Sequence, residues 1–133
     1  MAVLIDTSIL IDAERLGKPL DDAVGEEERA ISVITASELL HGVHRAGDES
    51  VRVRRQVFVE HVLASLDPLP VTTKVARSHA RIWAHLEQAG QIIGAHDLWI
   101  AATALAHGMS LATGNARHFK RVPGLSVAAV GAA

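Results

Sequence analysis

Val3-Leu4-Ile5-Asp6-Thr7-Ser8 is the stretch that decides the fold. Three apolar residues run into an aspartate and two hydroxyl residues, and an apolar helical pattern, Ile9-Leu10-Ile11, follows at once. This is how a short buried strand delivers a carboxylate to the start of a helix. In open parallel sheets ligands bind at such strand ends. Other carboxylates at equivalent ends would therefore share the surroundings of Asp6.

Working outward, residues 7–15 read as a helix broken by Gly17 and Pro19. Residues 21–28 are acidic, a short exposed helix or a loop, and the β-branched residues 30–34 predict a second strand. Thr35-x-x-Glu38 has the spacing of a capping box opening a helix over 36–45. Gly47-Asp48 marks a turn. Residues 51–66 predict one helix, although Val51-Arg52-Val53-Arg54 alternates as a strand would. Two prolines confine 67–71 to a short edge strand or a linker. Thr72 or Thr73 caps a helix reaching Ala89, whose buried face would carry Val75, His79, Ile82, Trp83 and Leu86.

After a loop over 90–95, Asp97 opens a helix that is apolar almost all round and stops at Gly108. Residues 109–113 predict a strand, 114–124 a loop turning at Pro123-Gly124, and 125–130 a last strand before a frayed 131–133. Short strands alternating with helices predict an α/β sandwich with a mainly parallel sheet.

A chain of 133 residues is expected to form a single domain spanning 1–133. With 49% apolar and 21% charged residues it is a globular composition. The absence of cysteine excludes disulfides, zinc–thiolate sites and thiol catalysis, and suits a reducing cytosol. Val3-Leu4-Ile5 is too short for a signal peptide, and the apolar run near 98–106 falls short of a bilayer span, so a cytoplasmic protein without membrane contact is expected. The net charge of −2 carries no global nucleic-acid signal, so a polyanion would be held locally or through bound cations.

Three carboxylates occupy one kind of structural address. Asp6 ends the first strand, Glu38 opens the helix after the second, and Asp97 opens the buried helix; Thr113-Gly114-Asn115 adds a polar strand end. Singly, each acid is explained as well by helix capping and the helix dipole. Together they are harder to explain so, because two like charges 4 Å apart repel by about 4 kcal/mol at an effective dielectric of 20. Such a cluster asks for a cation, and hard oxygen ligands select Mg2+ or Mn2+. The histidines form no comparable set: His41 and His44 lack further ligands, His79 reads as a core residue, and His96 stands beside Asp97. Trp83 and Trp99 read as core packing.

At four places the chain resembles the PIN-domain nucleases, and among them the VapC-type toxins. These are Leu4-Ile5-Asp6-Thr7-Ser8, Ile34-Thr35-Ala36-Ser37-Glu38-Leu39, His96-Asp97-Leu98-Trp99-Ile100-Ala101-Ala102-Thr103-Ala104 and Leu111-Ala112-Thr113-Gly114-Asn115-Ala116-Arg117-His118-Phe119. The resemblance implies a three-layer α/β/α sandwich and a metal-dependent endoribonuclease acting as the toxin of a VapBC-type pair. Its partners would be RNA, a small VapB-like antitoxin over the active-site side, and a second copy of the chain. Asp6, Glu38 and Asp97 match three of the family's four acidic positions, and Asn115 stands at the fourth. On this basis Asp6, Glu38, Asp97 and Asn115 are the catalytic candidates. Asp6, Asp97 and Glu38 are the metal ligands for Mg2+, with Mn2+ as a substitute, and Glu38 would orient or deprotonate water. Thr7 and Thr113 support the acids or meet substrate. Arg117 and His118, with Lys120 and Arg121, either grip phosphates or form a solvated loop. Arg52, Arg54 and Arg55 form a solvated helix face or an antitoxin contact.

Two other readings stay open. A HAD-like phosphohydrolase would want an aspartate where the chain has Ser8. A non-catalytic PIN-fold protein binding RNA or antitoxin is favoured by Asn115 alone.

Overall fold

The computed structural model describes residues 2–19 and 28–129. The acidic segment, Val130 and the C-terminal tail, each read above from sequence, lie wholly or mostly outside them. β1 (Val3–Ile5) leads into α1 (Thr7–Leu16), and β2 (Arg29–Ser32) into α2 (Val33–His44). α3 (Glu49–Ser65), the two-residue β3 (Pro68–Leu69), α4 (Thr73–Ala89) and α5 (Ala95–Ala106) follow. β4 (Ser110–Thr113), α6 (Ala116–Phe119) and β5 (Val127–Ala129) complete the order.

All five strands are parallel, in the order β3-β2-β1-β4-β5. The order reverses between β1 and β4, where Ile5 pairs with Ala112 and the Asp6 amide donates to the Ala112 carbonyl at 2.9 Å. This switch point is where a parallel sheet opens a crevice at its carboxyl edge. Asp6 and Thr113 flank it.

Alternation along the strands divides the core. Leu4 and Leu111 face a cluster with Val75, Ile82 and Leu86 of α4, Leu98 and Ile100 of α5, and Phe119. Ile5, Ile31 and Ala112 face the opposite cluster, with Ile9 and Leu10 of α1, Leu39 and Val43 of α2, and Val59 and Val62 of α3. The result is the three-layer α/β/α sandwich that the resemblance implies. Among the described residues no helix is long and apolar enough to cross a membrane.

Three local expectations are corrected. The second strand stops at Ser32, and the β-branched Val33 and Ile34 are already helical, because the Ser32 side chain accepts the Thr35 amide at 3.0 Å and caps α2 three residues early. Thr35 therefore caps nothing. Trp83 is half exposed, not core, because Val75, Ile82 and Leu86 take the face of α4 that meets the sheet. His79 is only partly buried; its ring stacks on Trp99 with centroids 3.5 Å apart, and burial pushes its pKa down.

Candidate active site

Asp6 occupies the N-cap position of α1 but makes no side-chain cap bond. Its Oδ2 instead accepts from Thr113 Oγ1 and Ser8 Oγ, each at 2.7 Å. Among the described residues no hydrogen bond reaches its Oδ1. Ser8 also accepts the Gly114 amide at 3.1 Å, and Thr113 Oγ1 the Asn115 amide at 2.9 Å. One carboxylate oxygen thus ties the end of β1 to the loop after β4, across the switch point. With Asp6 only 3% exposed, those hydroxyls replace the hydration that burial removes.

The early start of α2 places Glu38 in its second turn, not the first, so helix capping does not account for it. Thr7 Oγ1 donates to Glu38 Oε1 at 2.7 Å and lies 2.9 Å from Thr35 Oγ1. His96 Nδ1 is 3.5 Å from Glu38 Oε2. Asp97 does lie in the first turn of α5, where the N-cap is Gly94. Burial, followed by the neighbouring Asp6 and Glu38 charges, pushes its pKa up from 3.8 to about 6; His118 and His96 partly offset this. The structure therefore brings the three acids into one electrostatic unit.

The weaker candidates separate. Asn115 is the N-cap residue of α6 but makes no cap bond with its side chain, and its Nδ2 meets His118 Nδ1 at 2.8 Å. Thr7 and Thr113 are 5% and 0% exposed, and their hydroxyls bond Glu38 and Asp6 respectively. Arg117 and Lys120 are exposed on α6 and the turn after it, while Arg121 donates to the Ile92 carbonyl. Arg52 pairs with Glu49, Arg54 with Glu14 at 3.2 Å, and Arg55 donates to the Gly42 carbonyl.

Ser8 and Thr35 were missed as site residues. The Asp6-x-Ser8 spacing is the local signal for the first, since a hydroxyl two residues on can return to an aspartate. For Thr35 no local signal exists, because its partner Thr7 is 28 positions away.

The donor set suits a hard divalent cation. Among the described residues no three histidine, aspartate or glutamate side chains form a ready-made cage. Asp6 and Glu38 are each drawn to hydroxyls of their own walls. Mg2+ needs no such cage, since it is held by one or two carboxylates and keeps several waters. Asp6 Oδ1 is open to it, and the repulsion felt by Asp97 is what a cation would relieve.

Residues 3–125 match the family model of the PIN domain. The chain is 41% identical over 131 residues to Ribonuclease VapC1 of Rickettsia felis, covering 98% of this chain and 97% of that protein. Among solved structures it resembles VapBC2 from Rickettsia felis bound to a promoter DNA fragment, with TM-score 0.87, 28% identity, and 98% and 100% of the two chains covered. It also resembles VapBC-5 from Mycobacterium tuberculosis, with TM-score 0.80, 31% identity, and 98% of each chain covered.

Proposed function

The chain belongs to the PIN-domain family, and from that premise we propose that it is a divalent-metal-dependent endoribonuclease, the toxin of a VapBC-type pair. The carrying observation is that Asp6, Glu38 and Asp97 share one site while none of their side chains caps a helix. An ordinary capping role leaves that unexplained.

Asp6 and Asp97, with Glu38, would hold Mg2+ or Mn2+. Bound there, the ion supplies Lewis-acid polarisation of a phosphate and water of lowered pKa. Thr113 and Ser8 hold Asp6 with one oxygen turned away from them. Thr7 holds Glu38, whose second oxygen stands next to His96 and is the acceptor available to a water proton. Asn115 keeps a hydrogen-bonding group at the fourth acidic position without adding charge. His118, its Nδ1 occupied by Asn115, would turn Nε2 towards a phosphate oxygen.

A VapB-like antitoxin is the proposed partner, since the solved relatives are VapBC complexes. Total RNA incubated with the purified protein should be cut at discrete positions with Mg2+ or Mn2+ present. Cleavage should stop with EDTA and with a co-expressed antitoxin. Cleavage that persists in EDTA would overturn the metal-dependent reading.

A two-fold homodimer is also proposed. Trp83 and Ile92 are 50% and 59% exposed beside the His79–Trp99 stack, an apolar surface that a second copy would cover. Trp83→Asp should convert a dimer to a monomer in sedimentation equilibrium. An unchanged mass for this variant, or a monomeric wild type, removes the proposal.

A further inference from the structure

α2 carries its acid beside a row of donors. Ser37, His41 and Arg45 stand at i, i+4 and i+8, one stripe down the helix, and all three are exposed. Together with Gly42 and His96 they line an open cleft of about 480 Å3 that begins at Glu38. Glu38 is the one carboxylate in that lining, and it is engaged by Thr7 and faced by His96. Among the described residues Arg45 has no ion-pair partner. Among the described residues no Phe or Trp lines the cleft.

We propose that this cleft is a binding site for the phosphodiester backbone of single-stranded RNA to one side of the scissile bond. The proposal rests on the ribonuclease reading above. Arg45 and His41 would donate to neighbouring phosphates and Ser37 and His96 to the phosphate nearest the acids. From Ser37 to Arg45 the stripe runs about 12 Å at 1.5 Å per residue, long enough to follow a strand rather than hold one anion. It also answers the charge problem of the site. Three acids repel RNA, and a chain of net charge −2 has to supply local donors just beyond them. Without aromatic platforms the cleft reads backbone rather than bases, so it contributes affinity and register but little sequence preference.

A peptide is the less fitting occupant. Leu39 of α2 and Phe58 and Val59 of α3 line the adjoining cleft, which shares Ile11, Glu38, Gly42 and Arg45 with this one, whereas Ser37, His41 and His96 line this cleft and not that one.

Gly42 is a place where a side chain can be added to narrow the cleft. A Cβ there meets nothing within 4 Å, and its backbone is ordinary helix. The test measures binding of a fluorescein-labelled, mixed-sequence single-stranded oligoribonucleotide by anisotropy, in an Asp6→Asn background that does not cut it. Arg45→Ala with His41→Ala should weaken Kd by about tenfold or more. Gly42→Leu should do the same, and Arg45→Lys should restore most of the loss. Arg45→Ala alone should lower the slope of log Kd against log salt by about 0.7, the value for one phosphate contact on a single strand.

Unchanged affinity and slope in these variants would overturn the cleft assignment, as would an Asp6→Asn protein that does not bind the strand. Weakened antitoxin binding with RNA affinity intact would also overturn it and reassign the cleft to the partner. Failure of the ribonuclease reading shows separately, as absence of metal-dependent cleavage by the wild type.

Discussion

Asp6→Asn is expected to lower the rate of RNA cleavage by about 10^3-fold or more, a loss of roughly 4 kcal/mol of transition-state stabilisation. The size follows from what Asp6 does alone. It is the acid at the switch point, and two hydroxyls bind one of its oxygens while the other stays open to a cation. Asparagine keeps the volume and one oxygen for Thr113 and Ser8, so those contacts can re-form. It removes the charge that a divalent ion requires. Thermal stability should therefore stay within about 1 kcal/mol of wild type, and titration with Mg2+ should no longer raise the melting temperature. Cleavage within a few-fold of wild type would remove Asp6 from the site.

Asp97→Asn should also abolish cleavage, but it should stabilise the metal-free protein at pH 7. The Asp97 pKa is raised in the folded state from 3.8 to about 6. The folded protein thus keeps a proton that the unfolded chain releases. That contribution to stability is complete below pH 3.8 and is lost as pH rises through 6. The difference between 3.8 and about 6 corresponds to about 3 kcal/mol. Partial exposure of Asp97 reduces the expected gain at pH 7 to about 1–2 kcal/mol, or about 3–8 °C in Tm. Differential scanning fluorimetry in EDTA should show the variant melting above wild type at pH 7 and the gap closing towards pH 4. Mg2+ should narrow the gap at pH 7 by stabilising the wild type alone. Equal melting temperatures at pH 7, or a gap that widens on acidification, would refute the burial and charge crowding of Asp97.

Much of the fold was legible because its signals are local. Proline confines Pro68–Leu69 to a sheet edge, and the two-residue β3 pairs only with β2. The apolar circumference of α5 reports burial, and Gly108 ends that helix at a positive φ of 65°. What misled was equally local. The Thr35-x-x-Glu38 spacing has the form of a capping box, yet Ser32 wins the Thr35 amide and begins α2 earlier. The apolar stripe of α4 reaches Trp83, but Val75, Ile82 and Leu86 supply its buried face and Trp83 stays half exposed.

By itself the sequence determined the parallel α/β architecture, the order of its elements apart from the short α6, which reads as loop, and the acids Asp6 and Asp97 at a strand end and a helix start, with Glu38 one turn further into α2 than its spacing implied. Those features are written in hydrophobic period, turn chemistry and residue type, which act over a few positions. Only the tertiary structure decided what the acids are for. Whether Asp6 caps α1 or faces a shared site depends on Thr113, 107 positions away, and the second hold on Glu38 depends on Thr7, 31 positions away. Such partners are set by strand pairing across the switch point, and no local pattern encodes them. The raised pKa of Asp97 has the same origin, because burial, and after it repulsion from Asp6 and Glu38, depends on neighbours in space and takes no account of distance along the chain.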